Sequence, residues 1–169
     1  MPFAATHVLV PMILISVIKA HWKKFTHKIT LKEIFVAGFF GLLPDIDVPV
    51  WWLATALTGA PWQAIHREFT HSIIFVGIIL LAAFLLKQKG KKLYVMGLLA
   101  ALGYASHLVL DFIIVGQIKP FWPFSSAAFG LQLVPVGELG VSILAGMDAL
   151  LILFWLWHEE KFGKIKSFY

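Results

Sequence analysis

Five apolar stretches, at about residues 4–20, 33–57, 72–86, 93–115 and 139–157, alternate with short polar connections. An α-helix of about 20 residues, rising about 1.5 Å per residue, crosses the roughly 30 Å of hydrocarbon in a bilayer. The pattern therefore predicts an all-α integral membrane helical bundle of about five transmembrane helices, a single domain over residues 1–169. Two stretches depart from a plain span. The second is interrupted at Pro44-Asp45-Ile46-Asp47, where proline removes a backbone donor, so its helix is expected to end near Leu43 and be followed by an interfacial piece. The third holds about 15 residues and is short of a full crossing unless Trp62–Thr70 extends its helix.

The connections are unequal in charge. Lys19, Lys23, Lys24, Lys28 and Lys32 lie between the first two spans, Lys87, Lys89, Lys91 and Lys92 between the third and fourth, and Lys161, Lys164 and Lys166 after the fifth. Residues 1–6, 44–71 and 116–138 carry only two lysines or arginines, Arg67 and Lys119. Because lysine-rich connections stay in the cytoplasm, five spans with the N-terminus outside and the C-terminus in the cytoplasm satisfy every segment. Trp51, Trp52, Trp62 and Trp122 then populate the outer side, as amphipathic aromatics do at a headgroup boundary. The first positive charge, Lys19, follows the first apolar run, so that run reads as a retained span and not a cleaved leader.

Composition sharpens this picture. The chain is 60% hydrophobic with a mean hydropathy of +0.86, above the roughly 45–50% apolar usage of soluble domains. The net charge of +5 is spent on topology-setting clusters, so nucleic acid is not an expected partner. With no cysteine, a metal would have to take imidazole nitrogen and carboxylate oxygen.

Ionisable groups in apolar spans cost roughly 2.5–3.5 kcal/mol each at mid-helix, so each needs a reason. Here they collect on one side. His7 falls near the outer end of the first span, Asp45 and Asp47 at the outer end of the second, His66 and His71 at the outer start of the third, and His107 and Asp111 in the outer half of the fourth. His107 and Asp111, four residues apart, project an imidazole and a carboxylate from one helix face. His66 and His71, five apart, can serve one centre only where a turn or helix start intervenes, with Thr70 or Ser72 as its cap. Four imidazoles and three carboxylates exceed one tetrahedral zinc, which favours two ions over one; zinc is the first expectation, manganese or iron the next. Each residue has a plainer reading. His7 alone would be an interfacial histidine, Asp45 and Asp47 a solvated helix-ending turn, and Arg67 a headgroup contact. Asp148, deep in the fifth span, would be satisfied by Ser106 or Tyr104. His21, His27 and His158, beside lysines, are expected to take no part in catalysis, and Glu138 is expected to be interfacial.

The run of Thr6-His7, Gly41-Leu-Leu-Pro-Asp-Ile-Asp47, His66-Arg-Glu-Phe-Thr-His-Ser72 and Ser106-His-Leu-Val-Leu-Asp111, followed by Trp122-Pro-Phe124, resembles the membrane-bound metal-dependent hydrolase family, whose bacterial members include a LexA-regulated inner-membrane protein. The match covers residues 6–124 in the family's order. It implies a hydrolase of the inner (cytoplasmic) membrane, with His7, Asp45, Asp47, His66, His71, His107 and Asp111 at the family's polar motif positions. Glu68 departs from the His-Arg-Gly pattern, adding a carboxylate near the site or facing water.

A hydrolytic metal centre activates water and polarises a carbonyl or phosphoryl oxygen. His107, about 12 Å below the outer end of its span, lies where a lipid reaches directly. The expectation is thus cleavage of an ester or phosphoester in a lipid or lipid-linked substrate, phospholipase-like, with Asp47 or Glu68 as base and Arg67 binding a phosphate oxygen or a developing anion. The rival is a non-catalytic metal-binding protein, or a divalent-cation or proton transporter, whose polar residues would continue to the cytoplasmic side. Oligomeric state is not legible.

Overall fold

The computed structural model describes residues 4–22, 29–59, 67, 69–114 and 116–162. Among them the elements are α1 (Ala4–His21), α2 (Leu31–Leu42), a 3₁₀ turn (Leu43–Ile46), α3 (Asp47–Thr58), α4 (Ile73–Leu86), α5 (Lys91–Ile114) and α6 (Glu138–Phe162). The described residues hold no strand; one isolated antiparallel bridge joins Ile118 to Phe129.

Four segments are long and apolar enough to cross a membrane: α1, α5, α6, and the rod from Leu31 to Thr58 that α2, the turn and α3 form together. The fifth apolar helix, α4, has 14 residues and spans only about 21 Å. Residues 69–71 bend and turn and do not lengthen it. Ser72 starts it instead, its Oγ accepting the Ile74 N–H at 3.3 Å, and the same hydroxyl donates to the Trp122 carbonyl at 2.7 Å. The aromatic loop after α5 is thereby tied over the start of α4. At the lysine-rich end, Glu33 accepts the Thr30 N–H at 2.9 Å and opens α2 with the reciprocal pairing that satisfies first-turn donors.

Packing centres on α5, which contacts α1, α2 and α4, while α6 packs against α1. Close approach is set by glycine: a Cβ on Gly103 would sit 2.1 Å from the Ala37 carbonyl oxygen, and one on Gly41 2.2 Å from that of His7. Small residues let backbones meet where no water drives apolar surfaces together. Met12, Ile15, Ile34, Ala37 and Leu99 form an apolar core toward the lysine-rich end. Elsewhere the usual order is inverted: Leu81, Phe84 and Leu85 of α4 and Leu150 and Leu153 of α6 face outward, while Thr6, His7, Asp47, His71, His107 and Asp111 are buried. In water that arrangement would be untenable; in lipid it is expected.

Candidate metal centre

The site begins at the helix break. After Gly41-Leu-Leu, the backbone tightens into a 3₁₀ register, in which the partner of the Gly41 carbonyl would be the amide of residue 44. That residue is proline and has no N–H. The His107 Nδ1–H fills the gap, donating to the Gly41 carbonyl at 2.7 Å. This bond fixes the tautomer and turns the bare Nε2 of His107 inward.

A parallel arrangement fixes His71, in the turn before α4. Its Nδ1 lies 3.0 Å from the Thr70 hydroxyl, which donates onward to Asp47 Oδ2 at 2.8 Å. Asp47 Oδ2 also accepts the Arg67 backbone N–H at 2.9 Å, and the Thr70 carbonyl accepts the Tyr104 hydroxyl. Asp47 sits 3.6 Å from His71 Nδ1, across the ring from Nε2. A carboxylate behind a histidine is the standard way to orient a metal-ligating imidazole.

The two bare nitrogens, His107 Nε2 and His71 Nε2, are 3.2 Å apart. Asp45 Oδ1 stands 3.5 Å from the first and 3.7 Å from the second. Asp111 Oδ2 stands 3.3 Å from His71 Nε2 and 4.0 Å from His107 Nε2. From α1, the His7 ring stacks on His107 at 3.7 Å and points Nε2 at Asp111 Oδ1, 3.5 Å away. His7 and Asp45, and separately His71 and Asp111, form possible ligand groups, and His107 belongs to both. The two groups share His107, so their ligand atoms make one contiguous cluster.

The donor set fits a divalent cation on two grounds. Metal–nitrogen bonds of about 2.0–2.1 Å at tetrahedral angles put neighbouring ligand atoms about 3.3 Å apart, close to the spacings observed. Charge points the same way: among the described residues, three carboxylates (Asp45, Asp47, Asp111) against one guanidinium (Arg67) leave a formal −2 that a single divalent ion balances. Buried acceptors facing one another without a cation would be costly. Arg67 stands beside the centre, Nη2 at 3.1 Å from Asp111 Oδ2, while its buried Nε has no hydrogen-bond partner. Its backbone is left-handed, φ 64°, a conformation that bulky residues adopt only when their surroundings enforce it.

Of the residues expected from sequence, His7, Asp45, His71, His107 and Asp111 converge, Asp47 and Arg67 support them, and His66 and Glu68 lie outside the described residues. Asp148 corrects an expectation. Its partner is Thr6 on α1, because Tyr104 is engaged with Thr70 and the Ser106 hydroxyl with the Gly103 carbonyl. Thr6 was read from sequence only as part of a motif and Thr70 only as a helix cap, not as the partners of Asp148 and Asp47. Their signal was present in each case as a hydroxyl directly before a candidate histidine.

A family model described as "YdjM inner membrane protein" matches residues 1–166. That description gives a location and no activity. No curated protein and no solved structure matches the chain.

Proposed function

We propose, on the premise that this chain belongs to the YdjM inner membrane protein family, that it is a membrane-embedded metal-dependent hydrolase. It cleaves a phosphoester or ester bond of a lipid or lipid-linked substrate at the extracytoplasmic face. The observation that carries the reading is the shared His107 Nε2, within 3.2–4.0 Å of His71, Asp45 and Asp111. When bound there, a divalent cation, zinc first and manganese or iron next, supplies Lewis-acid activation of water and of the scissile carbonyl or phosphoryl oxygen. The chain's own residues do the rest. The Asp47–Thr70–His71 chain and the Gly41–His107 bond hold two imidazoles so that no reorganisation is needed during reaction. Arg67, with a buried and unpartnered Nε N–H, favours a phosphoryl oxygen over a plain ester, because guanidinium matches the geometry of phosphate.

The test is elemental analysis of the full chain purified without chelator, followed by a lipid-hydrolysis screen in vesicles. One ion per chain together with turnover of a phosphoester-containing lipid is the expected result. Failure to hold or take up any transition metal would overturn the proposal.

A further inference from the structure

An open cleft of about 410 Å³ runs beside the centre, lined by Ala4 of α1, Phe39 and Leu42 of α2, Ile46 of the 3₁₀ turn and Val48 of α3, with Asp45 at its edge. The cleft is almost wholly apolar. Its one ionisable wall residue, Asp45, is also the described candidate ligand that is not fully buried: it is 19% exposed, against 0–1% for His7, His71, His107 and Asp111. The carboxylate that faces His71 and His107 thus also faces a hydrocarbon-lined groove at the membrane-facing surface of α2 and α3.

The geometry points to this groove as the seat of one hydrocarbon chain of the substrate, which enters sideways from the bilayer and brings its scissile bond to Asp45. This rests on the hydrolase reading above and specifies it: the substrate class is a lipid whose reactive bond lies within a few atoms of an acyl or isoprenoid chain. The occupant is argued from two features. A volume of that size lined by aliphatic and aromatic side chains is typical of a small-molecule site. Its lining is also continuous with the candidate ligands through Asp45. In a membrane such a groove adds only a modest affinity, about 1 kcal/mol or fivefold, since the chain leaves one hydrocarbon phase for another. It acts mainly by orientation, holding the bond near the centre.

The experiment uses the full-length protein in dioleoylphosphatidylcholine vesicles containing, as a minor component, phosphatidylglycerol with a diazirine on one acyl chain. After irradiation, labelled residues are mapped by mass spectrometry. Labelling of the groove is expected at about fivefold over the outward faces of α4 and α6, the enrichment that about 1 kcal/mol of preference produces. Val48→Trp, which fills the groove, is expected to bring labelling down to the level of those faces. Ile46→Ser, at a 51% exposed position, is a second variant with little risk to folding and should lower it too. Even labelling over all outward faces, or labelling unchanged by both variants, would overturn the inference. Metal content and hydrolysis measured on the same samples separate the two ideas. Turnover with even labelling overturns the groove alone, and groove labelling without metal uptake sustains the chain seat while overturning the hydrolase reading.

Discussion

His107→Ala is the most informative single substitution, because this ring serves the centre, the helix break and the α1 contact at once. It is fully buried, its Nδ1–H satisfies the Gly41 carbonyl at 2.7 Å, and its face stacks on His7 at 3.7 Å. Removing it orphans a buried carbonyl, at about 1–3 kcal/mol, and loses a ring contact worth about 0.5–1.5 kcal/mol. The metal-free protein should therefore lose about 2–4 kcal/mol of stability while inserting at least as well, since alanine makes the span more apolar. Metal affinity should suffer more. Outer-shell changes alone cost about 10–100-fold, so deleting the ligand common to both groups should exceed 100-fold. The assay is calorimetric titration of the chelator-stripped protein with zinc, with thermal melts to show that the variant is folded. His158→Ala, about 15 Å along α6 from Asp148, should leave zinc binding unchanged. A folded His107→Ala protein that binds zinc with wild-type affinity would refute the centre.

Asp47→Asn keeps the shape of the carboxylate behind His71 but weakens it as an acceptor, and zinc titration should show about 10–100-fold loss. Asp148→Ala strands the Thr6 hydroxyl and loosens α6, which packs mainly against α1; melts should show a loss of about 1–3 kcal/mol that Asp148→Asn largely restores. Gly103→Ala forces a Cβ to 2.1 Å from the Ala37 carbonyl, so α2 and α5 must separate, and overpacking of this kind lowers stability by about 1–3 kcal/mol. The lysine-rich connections predict a cytoplasmic C-terminus. A C-terminal alkaline phosphatase fusion should accordingly be inactive, and an active one would reverse the topology.

The helices were legible because lipid-facing segments must be apolar along their length: the runs at 4–20, 93–115 and 139–157 became Ala4–His21, Lys91–Ile114 and Glu138–Phe162. The break at Pro44 was also legible, since its missing N–H is a local fact. That α2, the turn and α3 nevertheless make one long rod was not, because a 3₁₀ turn can pass the chain onward in nearly the same direction. The candidate ligands were visible as costly polar groups in apolar runs. Their division of labour was hidden. Asp45 and Asp47 look equivalent in sequence, yet one lies in the tight turn and the other opens α3, and they diverge, one toward the bare nitrogens and the other behind His71. The partner of Asp148 could not be read either, because sequence does not say which helix lies beside α6, and the answer was α1.

Where the polar residues stop bears on the choice between hydrolysis and transport. A cation or proton path needs ligands spaced through the bundle, each close enough to hand its charge to the next. Buried polar groups do recur toward the lysine-rich end, at Ser16, Glu33, His158 and Glu159. Between the centre and that end, however, stands the apolar cluster of Met12, Ile15, Ile34, Ala37 and Leu99. Glu33 is committed to the first turn of α2 and to Lys92, at 3.6 Å, which accounts for its burial without a path. Asp148, the deep carboxylate, is committed to Thr6. With these two occupied locally and an apolar layer between, a cation at His107 has a route toward Asp45 and the groove, and none among the described residues toward the opposite face. A centre open on one side to hydrocarbon and closed on the other is suited to acting on something that arrives within the membrane.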